Sequence, residues 1–143
     1  ETAYLKALGA TEVTGRLPLQ DKPKPLEKAL WAGAIDSVGG ANLAWLTRTV
    51  QPGGVIAAFG NAGGAELNTT VLPFILRGIR LLGINANSPM AVRTGVWQKM
   101  AHEYRPAHLD LIRQTITMAD MPARLDQMLA GQHRGRIVVD MRR

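Results

Sequence analysis

Gly54-Val55-Ile56-Ala57-Ala58-Phe59-Gly60-Asn61-Ala62-Gly63-Gly64 decides how this chain reads. An apolar run climbs to Phe59 and breaks at once into five residues with almost no side chain. A short, nearly continuous apolar run beside glycine fits a strand buried on both faces, as in a parallel sheet, better than a half-exposed one. Glycine at its exit permits positive φ and close approach to the main chain. Ordinary turns also favour Gly, Asn and Ser, so the loop alone reads as a plain turn before a ligand-facing ledge, and only agreement among several strand exits evens the two readings.

Working outward, the same pattern recurs. Ala34–Val38, Arg80–Ile84 and Arg136–Val139 read as further strands, with Glu12–Thr14 as a weaker one. Helices are expected between them: Thr2–Leu8, stopped by Gly9; Leu26–Trp31, opened by Pro25; Asn42–Val50; Thr70–Leu76, with Pro73 early; Val92–Glu103; and Pro122–Leu129. Strand and helix in alternation predict an α/β fold with a partial Rossmann-like, doubly wound parallel sheet and flanking helices. In such sheets ligands bind beyond the carboxyl ends of the strands. The residues following the strands are Gly39-Gly40, Gly60 to Gly64 and Asn85-Ala86-Asn87-Ser88, all small or polar, as if one ledge were kept clear.

The chain has 143 residues, enough for a core without staples, and no cysteine, so neither disulfides nor thiolate metal sites are available. No apolar stretch approaches a membrane span and no signal peptide opens the chain. The net charge of +6 attracts anions. The bases are scattered, apart from Arg134, Arg136, Arg142 and Arg143, and aromatics are not interleaved with them, which argues against nucleic-acid binding. His102, His108 and His133 have no ligand-like spacing, so no metal site is expected. Asp36, within a strand-like run, reads as a hydrogen-bonded structural carboxylate in preference to a functional acid, and Met118, Met121 and Met128 as core fillers. The G-x-G-x-x-G fingerprint, the phosphate P-loop and the G-x-S-x-G turn are all missing.

WAGAIDSVGG, GVIAAFGNAGG, TTVLPFILRGIRLLGIN and the closing GRIVVD follow one another, after ETAYLKALGA, in an order that resembles the zinc-independent medium-chain dehydrogenases/reductases. The similarity is strongest to their quinone-oxidoreductase-like and acrylyl-CoA reductase branch. The resemblance implies that residues 1–143 are the C-terminal portion of an NAD(P)-binding Rossmann domain, without its first βαβ unit, its glycine-rich turn or the GroES-like catalytic domain. It implies NADPH as cofactor and hydride transfer to an activated alkene, such as an enoyl-CoA of the acrylyl type, or to a quinone or enone. A stand-alone binding module is the reading from another class. The family also implies a cytoplasmic protein and a homodimer paired through the Leu81–Ala86 strand.

Carried over residue by residue, Gly60, Asn61 and Ala62 resemble the segment passing the nicotinamide and its ribose. Ile75 and Ala86 resemble further positions at that end, and Val38 and Gly39 the turn beside the adenosine. Some relatives place an arginine for the 2′-phosphate where this chain has Glu12, and Arg16 is the candidate substitute. Neither Tyr4 nor Tyr104 matches the family's tyrosine, so no catalytic residue is assigned and the segment alone is expected to be inactive.

Overall fold

The computed structural model describes residues 1–15, 17 and 23–142. Arg16, the candidate phosphate partner, lies outside the described residues. Those described form two compact units, 14–90 and 1–13 with 91–143.

The first of these units is two successive βαβ crossovers. It runs β1 (Trp31–Asp36), α2 (Gly40–Thr49), β2 (Val50–Ala58), α3 (Leu72–Arg77) and β3 (Arg80–Gly83), the label α1 being kept for an earlier helix of the other unit. The strands form a parallel sheet in the order β1-β2-β3. Ala34, Ile56 and Leu81 stand side by side across it, and this face, with Val50, Ile79, Leu43, Leu46 and Phe74, makes the core under the helices. Ile56 and Val50 are wholly buried. β1 meets β2 at Trp31↔Val50 and again at Gly33↔Val55, so β2 bulges through Gln51-Pro52-Gly53-Gly54. Proline, with no N–H for the ladder, is tolerated in a strand at such a bulge. The helix α3 ends on Gly78 in the left-handed conformation, with φ 59°.

The expected helix Leu26–Trp31 does not form. Its backbone donors are taken by the last carbonyls of α2 instead: Glu27 N–H donates to Arg48 O at 3.1 Å and Leu30 N–H to Thr49 O at 2.7 Å. The final turn of any helix leaves carbonyls unpaired, and here a remote segment satisfies them in extended form. Trp31 accordingly opens β1, and its ring meets Trp45 edge-on with centroids 6.2 Å apart.

The second unit contains α1 (Thr2–Ala7), α4 (Met90–Ala101), α5 (Leu109–Ile112), β4 (Arg113–Thr117), α6 (Met121–Leu129) and β5 (Arg136–Asp140). β4 and β5 pair in parallel around α6, a third βαβ unit. A short 3₁₀ turn, Met118–Asp120, leads into α6, with Thr117 and Asp120 exchanging the reciprocal bonds of a capping box. β4 is a strand the periodicity does not announce, since Arg-Gln-Thr-Ile-Thr offers one apolar residue, Ile116, which is the one that is buried. The strand expected at Glu12–Thr14 is irregular chain. Met118 and Met128 are about half exposed, so they do not fill a core in this unit. Among the described residues no helix is long and apolar enough to cross a membrane, and no three metal-binding side chains gather.

Candidate functional site

Parallel strands share a direction, so the chain leaves β1, β2 and β3 at one end of the sheet. Backbone bonds keep those exits in step: Phe59 N–H reaches Asp36 O at 3.0 Å and Ile84 N–H reaches Ala58 O at 2.9 Å. Beyond β1, the Asp36 carboxylate, 3% exposed, accepts from Gly39 N–H at 2.8 Å and from Val38 N–H at 3.4 Å. A buried carboxylate needs such donors, and two main-chain amides supply them. Asp36 therefore ties the first exit loop to its strand and takes the structural role.

The second loop lies directly on the first. Gly63 N–H donates to Val38 O at 2.7 Å. A side chain on Gly39 would put its Cβ 2.5 Å from Gly64 O and 3.0 Å from the Asn61 Cα, and Gly39 itself has φ 71° and ψ −160°, a conformation nearly restricted to glycine. A Cβ on Gly60 would overlap the Ser37 carbonyl oxygen, and one on Gly40 would sit 2.8 Å from Gly63 O. Gly39, Gly40 and Gly60 thus serve main-chain-on-main-chain packing between two loops. The same packing covers Gly40, the first residue of α2, which is buried against Gly63.

Of the expected site residues, the structure brings Val38, Gly39, Gly60, Asn61 and Ala62 together in this loop pair. Gly39 is buried, Val38 and Gly60 are partly covered, and Asn61 and Ala62 are exposed. Ala86 follows the third exit, in a loop closed by Asn87 N–H to Asn85 Oδ1 at 2.9 Å and Ser88 Oγ to Asn85 O at 2.8 Å. Ile75 stands on α3 with 71% of its surface exposed, and no bond joins it to the loops. The ledge has a definite chemical character. No lysine or arginine occurs in 36–41, 58–66 or 83–89, so it offers main chain, three side-chain amides, two serine hydroxyls, apolar groups and the exposed Glu66 but no cation. It suits an uncharged planar ring and gives a phosphate no side-chain cation to hold.

The opposite, strand-start end was missed by sequence reasoning. There Arg77 donates from Nη1 to Arg48 O at 2.7 Å and Val50 O at 3.1 Å, and from Nη2 to Glu27 O. Arg48 Nε meets Glu27 Oε1 at 2.8 Å, with the two side chains 7% and 20% exposed. The signal available was Arg77-Gly78 closing an apolar helix, since cations are favoured at the C-terminal ends of helices. Its partners, 27 to 50 residues away, were not readable.

No protein-family model matches the chain. It is 42% identical over 144 aligned residues, 99% of its length, to the acrylyl-CoA reductase AcuI of Ruegeria pomeroyi. It is 41% identical over 96% of its length to YhfP of Bacillus subtilis, which carries a quinone-oxidoreductase name. The chain spans 44% and 43% of those two relatives. Among solved structures, the B. subtilis yhfP protein with NAD bound superposes with a TM-score of 0.90 at 42% identity, covering 97% of this chain and 43% of that one. The Salmonella enterica yhdH oxidoreductase in complex with NADP superposes with a TM-score of 0.87 at 40% identity, with the same coverage. By sequence and by fold alike, the chain belongs with the quinone-oxidoreductase-like and acrylyl-CoA reductase branch of the medium-chain dehydrogenases/reductases, of whose members it spans less than half.

Proposed function

We propose that this chain is the part of an NADPH-dependent reductase that supports the nicotinamide end of the cofactor during hydride transfer to an activated alkene, with an acrylyl-CoA-type thioester as the foremost substrate. The observation that carries this reading is the agreement in sequence and fold, over nearly the whole chain, with oxidoreductases solved with NADP or NAD bound. The local chemistry supports it: Asn61 and Ala62 expose main chain at the exits, beside Val38 and Gly60, with no cation beside them. When bound, the cofactor supplies the hydride. This chain's residues position the ring by offering a flat, rigid main-chain surface, because Gly39, Gly40 and Gly63 lock the two loops together. Ile75 and Ala86 would close the same end, and Arg16 would meet the 2′-phosphate.

The cation-free ledge also means that the segment grips the cofactor by one end only. Its own affinity for NADPH should be weak and its own turnover nil. The B. subtilis relative's name supports a quinone or enone as the second substrate reading. A homodimer goes with the proposal as well, since β3 is the outer strand of its sheet among the described residues and leaves one edge free to pair. So does a cytoplasmic location. The test is NADPH oxidation by a protein carrying this segment at the full length of its relatives, with acrylyl-CoA and a quinone in parallel. Turnover at least tenfold higher on the thioester supports the first reading, a reversed preference the second. Oxidation of neither would overturn the proposal.

A further inference from the structure

At the strand-start end of the 14–90 unit, away from the ledge, a cavity of about 220 Å³ is lined by Lys24, Arg48, Asn68, Thr69 and Thr70, with Pro23 and Pro25. Arg48 is 5% exposed, and its Nε is committed to Glu27. Its two Nη groups have no partner among the described residues, yet no buried side-chain nitrogen is left unpaired. The Nη groups are therefore the part of this buried side chain that opens on the cavity. The Thr70 hydroxyl accepts from Leu72 N–H at 3.3 Å, which leaves its proton free to donate. Thr69 contributes no donor: Thr47 Oγ1 gives its proton to Ala44 O at 2.7 Å, so in the 2.7 Å contact between the two threonines Thr69 is the giver.

Among the described residues the charges at this end do not cancel. Lys24, Arg48 and Arg77 bring three positive charges and Glu27 one negative, and Arg77 is spent on three carbonyls. The cavity is thus walled by a guanidinium edge, an ammonium, an amide and a hydroxyl, donors with no acid beside them among the described residues beyond Glu27. Arginine and lysine together with short neutral donors match a tetrahedral oxyanion, whose several oxygens accept from different directions. We propose that this cavity binds a phosphate group, either as the free ion or on a small organic phosphate, at a site separate from the cofactor ledge and independent of the function proposed above.

Calorimetric titration of the full chain at low ionic strength, with inorganic phosphate and with glycerol 3-phosphate, tests this. One saturable site is expected, weakened about fivefold or more by Lys24→Gln and lost in Arg48→Met. Lys99→Gln, which removes the same charge from an exposed turn of α4, should change it less than about twofold. Tighter binding of glycerol 3-phosphate identifies an organic phosphate as the ligand, and equal binding identifies the free ion. Lys24→Gln touches no buried group, so it remains informative should Arg48→Met fail to fold. Absence of saturable binding, or equal weakening by Lys24→Gln and Lys99→Gln, would overturn the proposal.

Discussion

At the strand exits of the three-stranded sheet, carbonyl oxygens of Gly63 and Gly64 lie where side chains on Gly40 and Gly39 would have to go. At the strand starts of the same sheet, Arg48, Arg77 and Glu27 reach 21 to 50 residues along the chain to close the last turn of α2. One end is held by the absence of side chains and the other by the longest side chains available. The difference has a functional sense. A ledge made of main chain is rigid and free of cations, so a neutral ring can lie on it. An arginine bracket fixes the helix–strand junction from beneath without placing any cation near that ledge.

The comparison breaks most directly at the bracket. Arg77→Met takes the side-chain donor from the carbonyls of Glu27 and Val50 and leaves Arg48 O only the Glu27 N–H, and buried acceptors without donors cost roughly 1–3 kcal/mol each before relaxation. A loss of about 4 kcal/mol is expected in urea unfolding followed by fluorescence of the Trp31–Trp45 pair. A loss below about 1 kcal/mol would show that the bracket does not hold the junction.

At the exits, Gly39→Ala combines a disfavoured backbone conformation with steric overlap on Gly64 O and should cost about 3 kcal/mol. Gly78 sharpens the contrast. It also has positive φ, at 59°, but open space around its Cβ position, so Gly78→Ala should cost only about 1 kcal/mol. Equal effects of the two substitutions would mean that loop packing contributes nothing beyond backbone preference.

How much of this was legible follows from where each signal resides. The α/β alternation, the parallel sheet and the glycine-rich exits could be read because they are written in consecutive residues: Val55 to Gly64 announces both strand and loop. The extended run ahead of β1 could not, because the carbonyls of Arg48 and Thr49 that draw Glu27 and Leu30 out of a helix are about 20 residues downstream. β4 escaped because its two alternating faces are Arg-Thr-Thr and Gln-Ile, too polar to register as a strand. At the site, smallness was visible in Gly39, Gly40, Gly60 and Gly63, but its immediate cause was not. The glycines answer to one another before they answer to any ligand, and only geometry could show that.

The smallest expected effect lies in the other unit, where no such bracket exists among the described residues. Asp120 sits below the ordinary aspartate value of 3.8, chiefly through the Thr117 backbone N–H, then the Thr117 hydroxyl. A depressed folded-state value means the carboxylate's contribution is complete above the unfolded value and disappears as pH falls through the folded one, which places the whole effect below about pH 4. Carboxyl NMR titration should find Asp120 among the lowest-titrating aspartates, and Thr117→Ala should move it upward. An Asp120 that titrates at the ordinary value in both proteins would remove the capping box from the account.

The central claim is that the exit loops carry the nicotinamide end of the cofactor. The most direct measurement is a structure with NADPH bound, from a protein carrying this segment at the full length of its relatives. The nicotinamide ring is expected against the main chain of Asn61 and Ala62, with Val38 and Gly39 further along the same cofactor. A ring more than about 7 Å from both, two residues' reach of extended chain, would contradict it.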